Sequence, residues 1–572
     1  MTRHLALRSP FVLAILAVLL ASSFACATDY YLDSGSGSDE AAGTSPQEAW
    51  ASLDRLARVT LEPGDRALLR RDATFRGRLR INGSGTEEAP ITVGAWGEGN
   101  KPEILGSVEL EGWEQAEGEV WQATAPEGAF RGQKNVFSVY EYDDAIPVRL
   151  ERVEETPTER GTYHFDPETM VLSAITTDGR SPAEHRFEVP VIEQLMDLRD
   201  ARWLVFEDLA LLMGNCRHVV MSGCEDVIFR NCASLFVGAY GNPNFMLREG
   251  CRRVQILDCF LYENVNCGVM MTSGTTECRV AGCTIERCRS NDGITCHAGP
   301  RVDGVRTGLT GNANVIENNV IGHCPEESID ITSGDYHVLR GNICHDDGNP
   351  GIIVGHDSDH ILIEQNICLR SRGGIYVLGN PDEGAEGHNR VVDNLCYENT
   401  YPAIEVQSPD AEIIGNTLIN SRERVVVRIN ENAMRPVLRD NIIANLDPTI
   451  PHALIHFIHC TPASVDATLT HNLLFHAADV RKQEVFFPAG ELIRTDDGGF
   501  GVGGLQERYD TGGETVIAEP GFGEMEGGYF HLSDEAPQGF GAQGDLPEYP
   551  PHLIDGTDAD REEILRLWQK KR

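Results

Sequence analysis

The stretch CPEESIDITSGD, residues 324–335, places Glu326, Glu327 and Asp330 around one Ile-x-Ile pair. Carboxylates held this close repel one another and raise each other's pKa. A chain that clusters them holds charge for a cation, for proton transfer, or for solvation alone. A second stretch, SNDGI at residues 290–294, carries Asp292 immediately before another short apolar strand. If the two strands stack, Asp292 stands near Glu327 and Asp330, with His297 beside them, and four carboxyls share one surface. Paired carboxyls protonate a leaving oxygen and activate water. Calcium held by Asp292, Glu327 and Asp330 is the alternative use of the same oxygens.

The stacking follows from repetition. Segments such as VIENNVI, VLRGNIC, LIEQNIC, RVVDNLC, EIIGNTL and VLRDNII align on Asn319, Asn342, Asn366, Asn394, Asn416 and Asn441, at intervals of 23, 24, 28, 22 and 25 residues. VIFRNCA, VQILDCF and TLTHNLL extend the alignment to Asn231, Asp258 and Asn472. A period in this range marks a solenoid. Between these segments lies a second type of strand: GVMMTSG, GITCHAG, SIDITSG, GIIVGHD, GIYVLGN and AIEVQSP. Both types are too short for helices and rich in β-branched residues. One coil is read as a G-I-x-V strand, a turn, an I-x-x-N-x-I strand and a return, and its asparagines are expected to form an internal amide ladder.

Alternation along the G-I-x-V strands directs Ile294/Cys296, Ile329/Ile331, Ile352/Val354, Ile375/Val377 and Ile404/Val406 inward. Thr295/His297, Asp330/Thr332, Ile353/Gly355, Tyr376/Leu378 and Glu405/Gln407 then point outward. This face is the expected site. Asp292, Glu326, Glu327 and Asp330 are its candidate catalytic groups, and His297, His356, Arg372 and Tyr376 its candidate substrate contacts. Tyr376 would serve as a sugar-stacking platform. The Gly-rich excursion at residues 298–314 is expected to wall the groove.

The chain resembles the right-handed parallel β-helix proteins of the pectin-lyase-like superfamily, and the resemblance runs from about residue 29 to about residue 541. DYYLDSGSGSDEAAGTSPQEAW and the segment after it are similar to that family's N-terminal cap, in which a short helix covers the first coil. EGGYFHLSDEAPQGFGA resembles a last coil. The resemblance implies an all-β, right-handed parallel β-helix with an N-terminal cap. SNDGI and EESIDITSG further resemble the Asn-x-Asp-Gly and Asp-Asp-Cys-Ile elements of polygalacturonases, which implies acid and base roles for Asp292, Glu326 and Glu327 in inverting hydrolysis. The chain departs from that family downstream: Pro350 stands at the histidine of Gly-His-Gly, and Tyr376 and Leu378 at the basic residues of Arg-Ile-Lys.

Composition bounds the partners. The 572 residues carry 88 acids against 48 bases, a formal charge of −40, which disfavours nucleic acid and anionic membranes. Residues 1–27 read as a Sec-type signal peptide, with Arg3 and Arg8, an apolar run over residues 11–21 and Ala25-Cys26-Ala27 as the cleavage site. Lipidation at Cys26 ranks second. No later stretch is apolar for long enough to span a membrane. A secreted or periplasmic monomer acting on a polysaccharide is expected.

The expected divisions are a signal peptide (1–27), a cap with the first coils (28–107), an inserted β subdomain (108–190) where the repeat is lost and aromatic residues scatter, the β-helix (191–541), and a tail with a short helix (542–572). Most of the 16 cysteines fall in the ladder, so buried stacked thiols are expected rather than bridges. The five lysines, Lys101, Lys134, Lys482, Lys570 and Lys571, lie outside the coils from Asn231 to Asn441. A lyase or C5-epimerase would therefore need Arg372, His297, His356 or Tyr376, with calcium, to abstract a proton beside a carboxylate. A non-catalytic glycan-binding β-helix is the third reading.

Overall fold

The computed structural model describes residues 27–127, 136–142, 146–238, 242–299, 301–302, 305–355, 358–379, 385–419, 421–422, 425–449, 454–460, 464–477, 516–517, 520, 522, 539–542, 546–547 and 558–568. The signal-peptide segment, His356 and most of the EGGYFHLSDEAPQGFGA segment lie outside them.

Three long sheets run along the molecule, and they are parallel throughout the coils. Sheet 1, of 14 strands, opens with Asp29–Leu32; sheet 2, also of 14, opens with Thr74–Arg76; sheet 3, of 11, opens with Gln194–Arg199. A typical coil passes from Val315–Glu317 in sheet 1 to Val320–Gly322 in sheet 2 and Ile329–Ile331 in sheet 3, then returns to sheet 1 at Val338–Arg340. The chain is thus a parallel β-solenoid with a dry interior of stacked Ile, Val, Leu, Phe and Cys.

The segment read as one I-x-x-N-x-I strand is two strands in two sheets. The residue before each ladder asparagine takes the left-handed conformation, as at Asn318 (φ 55°), Gln365 (φ 57°), Asp393 (φ 55°) and Asp440 (φ 61°), and this turns the chain sharply from sheet 1 to sheet 2. Glycine takes the same place at Gly341 and Gly415, where positive φ costs it little. The inward set shifts phase at the corner, from Ile316 to Ile321, Leu339 to Cys344 and Ile363 to Cys368, while Ile343, Ile367 and Leu395 make the other face of sheet 2 apolar as well, so the segment reads as one apolar run in sequence.

The amide ladder stands at this corner. Asn342 donates its backbone N–H and its Nδ2 to Asn366 Oδ1 at 2.9 and 3.0 Å, and its Nδ2 also reaches Ile316 O at 2.9 Å. The same pair of bonds joins Asn319 to Asn342, Asn366 to Asn394, Asn394 to Asn416, Asn416 to Asn441 and Asn441 to Asn472. Each amide satisfies groups that would otherwise be buried without partners.

Asn231 and Asp258 do not belong to the ladder. They occupy the left-handed position (φ 48° and 52°), and Cys232, Cys259 and Cys283 take the ladder place. The Cys232 and Cys283 thiols donate to Phe206 O and Ile256 O at 3.6 and 3.5 Å, much as the later amides donate to carbonyls. Further in, Cys344, Cys368 and Cys396 stack in register. All fifteen described cysteines are buried and outside any disulfide. Burial pushes the Cys278 and Cys460 thiols up to about 12 and about 11.

At the N-terminal end the turn Leu53–Leu56, capped by Ser52 Oγ accepting from Arg55 N–H, lays Leu53 and Leu56 over the open core beside Trp50. Two small sheets fill residues 107–190: an antiparallel one containing Ser107–Glu109, Tyr140–Tyr142, Val148–Arg149 and Arg186–Pro190, and a five-stranded, mostly antiparallel one centred on Thr162–Asp166 and Val171–Ile175. They enclose their own core of Val136, Val139, Tyr163, Phe165, Leu172 and Phe187. The helix Asp558–Trp568 returns to the outside of sheet 2, where Trp568 meets Phe236 edge-on at 6.1 Å. No helix among the described residues is long and apolar enough to cross a membrane.

Candidate active site on the third sheet

The register of sheet 3 places Met246, Met270, Thr295, Asp330, Ile353, Tyr376, Glu405, Arg428 and His456 in one outward row, each the direct partner of the next. Their inward neighbours, from Ile294/Cys296 to Ile404/Val406, are fully buried. The alternation assigned from sequence therefore holds along this face.

The strands set the row, and the turns before them supply the acids. Asp292 precedes Ile294–Cys296 and Glu326-Glu327 precede Ile329–Ile331, one coil apart. Oxygens of Asp292, Glu326 and Glu327 lie within 4.8 Å of one another. Asp292 is 3% exposed and Glu327 9%, while Glu326 faces solvent. The Glu327 backbone N–H donates to Asp292 Oδ1 at 3.3 Å. Asp330 stands one step along the outward row, where it accepts from Thr295 Oγ1 at 3.4 Å.

Burial, reinforced by the charges of Asp330 and Glu327, pushes the Asp292 carboxyl well above the usual carboxylate range. Burial also raises Glu327, with the Glu326 charge adding to it, while the hydrogen bond from Asp292 works the other way. Both shifts favour the protonated form, and the larger one falls on the more deeply buried Asp292.

Glu327 forms one wall of a cavity of about 340 Å³ that is otherwise lined by Asn349, Pro350, Ile353, Arg372, Tyr376, Tyr401 and Arg428. Asp292 lies behind that wall. Arg372 Nη1 donates to Asn349 Oδ1 at 3.1 Å, and its guanidinium lies over the Tyr401 ring at 4.9 Å. Arg428 is paired with buried Glu405, which also accepts from Asn430 Nδ2 and Gln407 Nε2, both at 2.8 Å. Burial and the Glu405 charge hold the Tyr376 phenol protonated far above its ordinary value. A larger cavity of about 630 Å³ opens near the N-terminal end beside Trp96. Its buried Asp208 is already ion-paired with Arg71 at 2.5 Å.

Arg372 and Tyr376, expected from sequence as substrate contacts, line the cavity. His297 does not; it is exposed at the end of its strand, where its carbonyl accepts from Thr310 Oγ1 at 3.0 Å. His356 lies outside the described residues. Within the excursion at residues 298–314, Arg301–Val302 pairs antiparallel with Val305–Arg306, and none of its described residues lines the cavity. Sequence reading missed Asn349, Tyr401 and Arg428. Asn349 and Tyr401 stand in turns before sheet 3 strands, as Asp292 and Glu327 do. Arg428 is the outward residue of Val427–Asn430, two coils beyond GIYVLGN, the last segment of this sheet with the glycine signature.

A family model described as "Right handed beta helix region" matches residues 303–443. Among curated proteins, the lacto-N-biosidase of Bifidobacterium longum subsp. longum is 36% identical over 102 residues, which are 17% of this chain and 6% of that protein. The chain thus matches a small part of that relative's length. Three solved structures are similar at low identity. A glycoside hydrolase is 11% identical, with 79% of this chain and 95% of that one covered, at a TM-score of 0.43. The GH136 lacto-N-biosidase of Eubacterium ramulus is 14% identical over 81% and 67%, at 0.38. The periplasmic alginate epimerase AlgG is 11% identical over 50% and 81%, at 0.36. Stacked parallel coils in three sheets give this chain a parallel β-solenoid fold, and the region matched by the right-handed β-helix model lies within those coils.

Proposed function

We propose that this protein is a carbohydrate-active enzyme that hydrolyses a glycosidic bond, with Glu327 and Asp292 as its proton-donating pair. The observation that carries the reading is a pair of adjoining buried carboxyls, Asp292 and Glu327, of which Glu327 walls a cavity lined by two tyrosines and two arginines, and whose pKa values burial raises. A general acid must hold its proton at working pH and release it to the leaving oxygen, which calls for a raised pKa at a water-poor surface. Glu327 meets the substrate and Asp292 replenishes or retains the proton behind it. Glu326 and Asp330 flank the pair as candidates for activating water. Tyr376 and Tyr401 offer ring faces to a sugar, and Arg372 orients its hydroxyls or a carboxylate. The name of the partly matching curated relative, a lacto-N-biosidase, points in the same direction.

A second reading rests on the same cavity. Arg372 and Arg428 would neutralise a uronate carboxylate, and the converging oxygens of Asp292, Glu326 and Glu327 would supply part of a calcium shell for a lyase or epimerase. Incubation with a panel of neutral and acidic glycans separates these readings. Hydrolysis produces reducing ends and no unsaturated sugar; a lyase also produces the ultraviolet-absorbing unsaturated product; an epimerase changes sugar configuration without cleavage. Binding without any product supports the non-catalytic alternative.

A further inference from the structure

The two coils that carry the acids, together with the next coil, hold a second cluster at the corner between sheets 2 and 3. Glu286 ends the strand Thr284–Glu286, His323 follows Val320–Gly322, and His345 ends Ile343–His345. The register runs Glu286, Gly322, His345, so glutamate and histidine are two coils apart. They meet because Gly322 has no side chain: a Cβ there would come within 2.3 Å of the His345 ring. His345 Nε2 lies 3.0 Å from Glu286 Oε1, and His323 Nδ1 lies 3.1 Å from Glu286 Oε2. The three donor atoms all fall within 4.8 Å of one another.

We propose that Glu286, His323 and His345 form a divalent-metal site of the zinc class that clamps these three coils together. Two imidazoles and a carboxylate are a zinc donor set, and bonds of about 2.0–2.1 Å place tetrahedral ligands about 3.4 Å apart. The observed separations of 3.0 and 3.1 Å are close to that edge. The outer sphere is also present. His345 Nδ1 is 2.9 Å from Asp346 Oδ2, which leaves Nε2 to face the metal, and Arg370 holds Asp346 through two bonds of 2.8 and 2.6 Å. Carboxylate–histidine–metal chains of this kind fix the tautomer and orientation of the ligand. Glu286 and His345 are fully buried, whereas the His323 side chain is 26% exposed and marks the edge through which an ion and a water ligand enter. Zinc displaces the Nε2 proton of His345, so its affinity rises with pH. The site is independent of any reaction on sheet 3.

The test uses the full-length protein, stripped with a chelator and titrated with zinc against a chromophoric competitor, and separately with cobalt(II) followed by its visible absorption. One equivalent should bind, with the cobalt spectrum of a low-coordinate nitrogen–oxygen set. His323→Ala removes a partly exposed ligand while His345 keeps its bond to Glu286, so the metal-free protein should still fold, with a modestly lowered melting temperature. It should weaken zinc uptake by more than about 100-fold, beyond the loss that an outer-sphere partner causes. Asp346→Asn should cost about 10–100-fold, and Asp292→Asn should bind as the wild type does. No stoichiometric uptake by the wild type, or equal uptake by His323→Ala, overturns the proposal. So does loss of uptake in Asp292→Asn alone, which would place the ion in the carboxylate cluster.

Discussion

The same three coils carry two groups of buried carboxylates that face opposite electrostatic fates. At the sheet 2 corner, Glu286 is fully buried yet held below the usual glutamate range, because the His345 and His323 imidazoles offset the burial cost. His345 is raised in return, to about 10, and Asp346 contributes to that. At the entry to sheet 3, Asp292 and Glu327 meet other carboxylates, and their pKa values rise. Burial alone therefore does not decide what a carboxylate does in this molecule; the neighbour does. One cluster is set to hold charge and the other to hold a proton.

The comparison breaks most visibly through activity. Asp292→Asn and Glu327→Gln should each lower turnover by about 10²–10⁴-fold, the range for loss of a general acid, with the fold retained. Full activity in both would remove the sheet 3 pair from the mechanism.

Next in size is stability at the other cluster. Glu286→Gln leaves buried His345 with Asp346, already shared with Arg370, as its remaining paired carboxylate, and in chelator-treated protein it should destabilise the fold by up to about 3–5 kcal/mol. Denaturant unfolding measures this, and an unchanged midpoint would show that the corner carries no ion pair.

Tyr401→Ala should raise KM for the cleaved glycan about tenfold at nearly constant kcat, which corresponds to about 1.4 kcal/mol of ring contact. An effect confined to kcat would move Tyr401 from binding to chemistry.

The smallest effect concerns pH. Asp292 and Glu327 bind protons more tightly folded than unfolded, so they lose stability for the protein as pH rises past ordinary carboxylate values. Asp292→Asn should thus stabilise the neutral and alkaline protein by roughly 1 kcal/mol and leave the acidic protein unchanged. At the sheet 2 corner Glu286 carries the opposite sign, while His345, which is raised, changes in the same direction as Asp292. Glu286 contributes above its ordinary value and loses that contribution as pH falls, and His345 contributes below 6.5 and loses its contribution as pH rises through about 10. Melting curves across pH for Asp292→Asn and Glu286→Gln should therefore diverge in opposite directions.

Much of this architecture is legible in sequence because one physical demand recurs every coil. An amide must satisfy the same buried corner, so Asn319, Asn342, Asn366, Asn394, Asn416 and Asn441 reappear at nearly fixed spacing. The corner itself is hidden. Apolar residues on both faces of sheet 2 hide the shift of phase there, and the turn depends on φ at the residue before the ladder position, which glycine betrays at Gly282, Gly341 and Gly415. The cysteines at 232, 259 and 283 disguise the ladder further, since a thiol can stand where an amide stands later. Asp292, Glu326 and Glu327 were recoverable from stacking because each lies at a strand start. Arg428 and Tyr401 were not, because the glycine signature that frames the earlier strands is missing from their coils. The Glu286 corner is not legible in sequence, because the meeting of His345 with an acid two coils away depends on a glycine, Gly322, in the coil between them.

The central claim is that the Asp292–Glu327 pair carries a proton at neutral pH. Infrared difference spectroscopy between the wild type and Asp292→Asn at neutral pH tests it most directly. A protonated-carboxyl stretch should be present in the wild type and lost in the variant. A wild-type spectrum without that band, with Asp292 ionised like a surface carboxylate, would contradict the account.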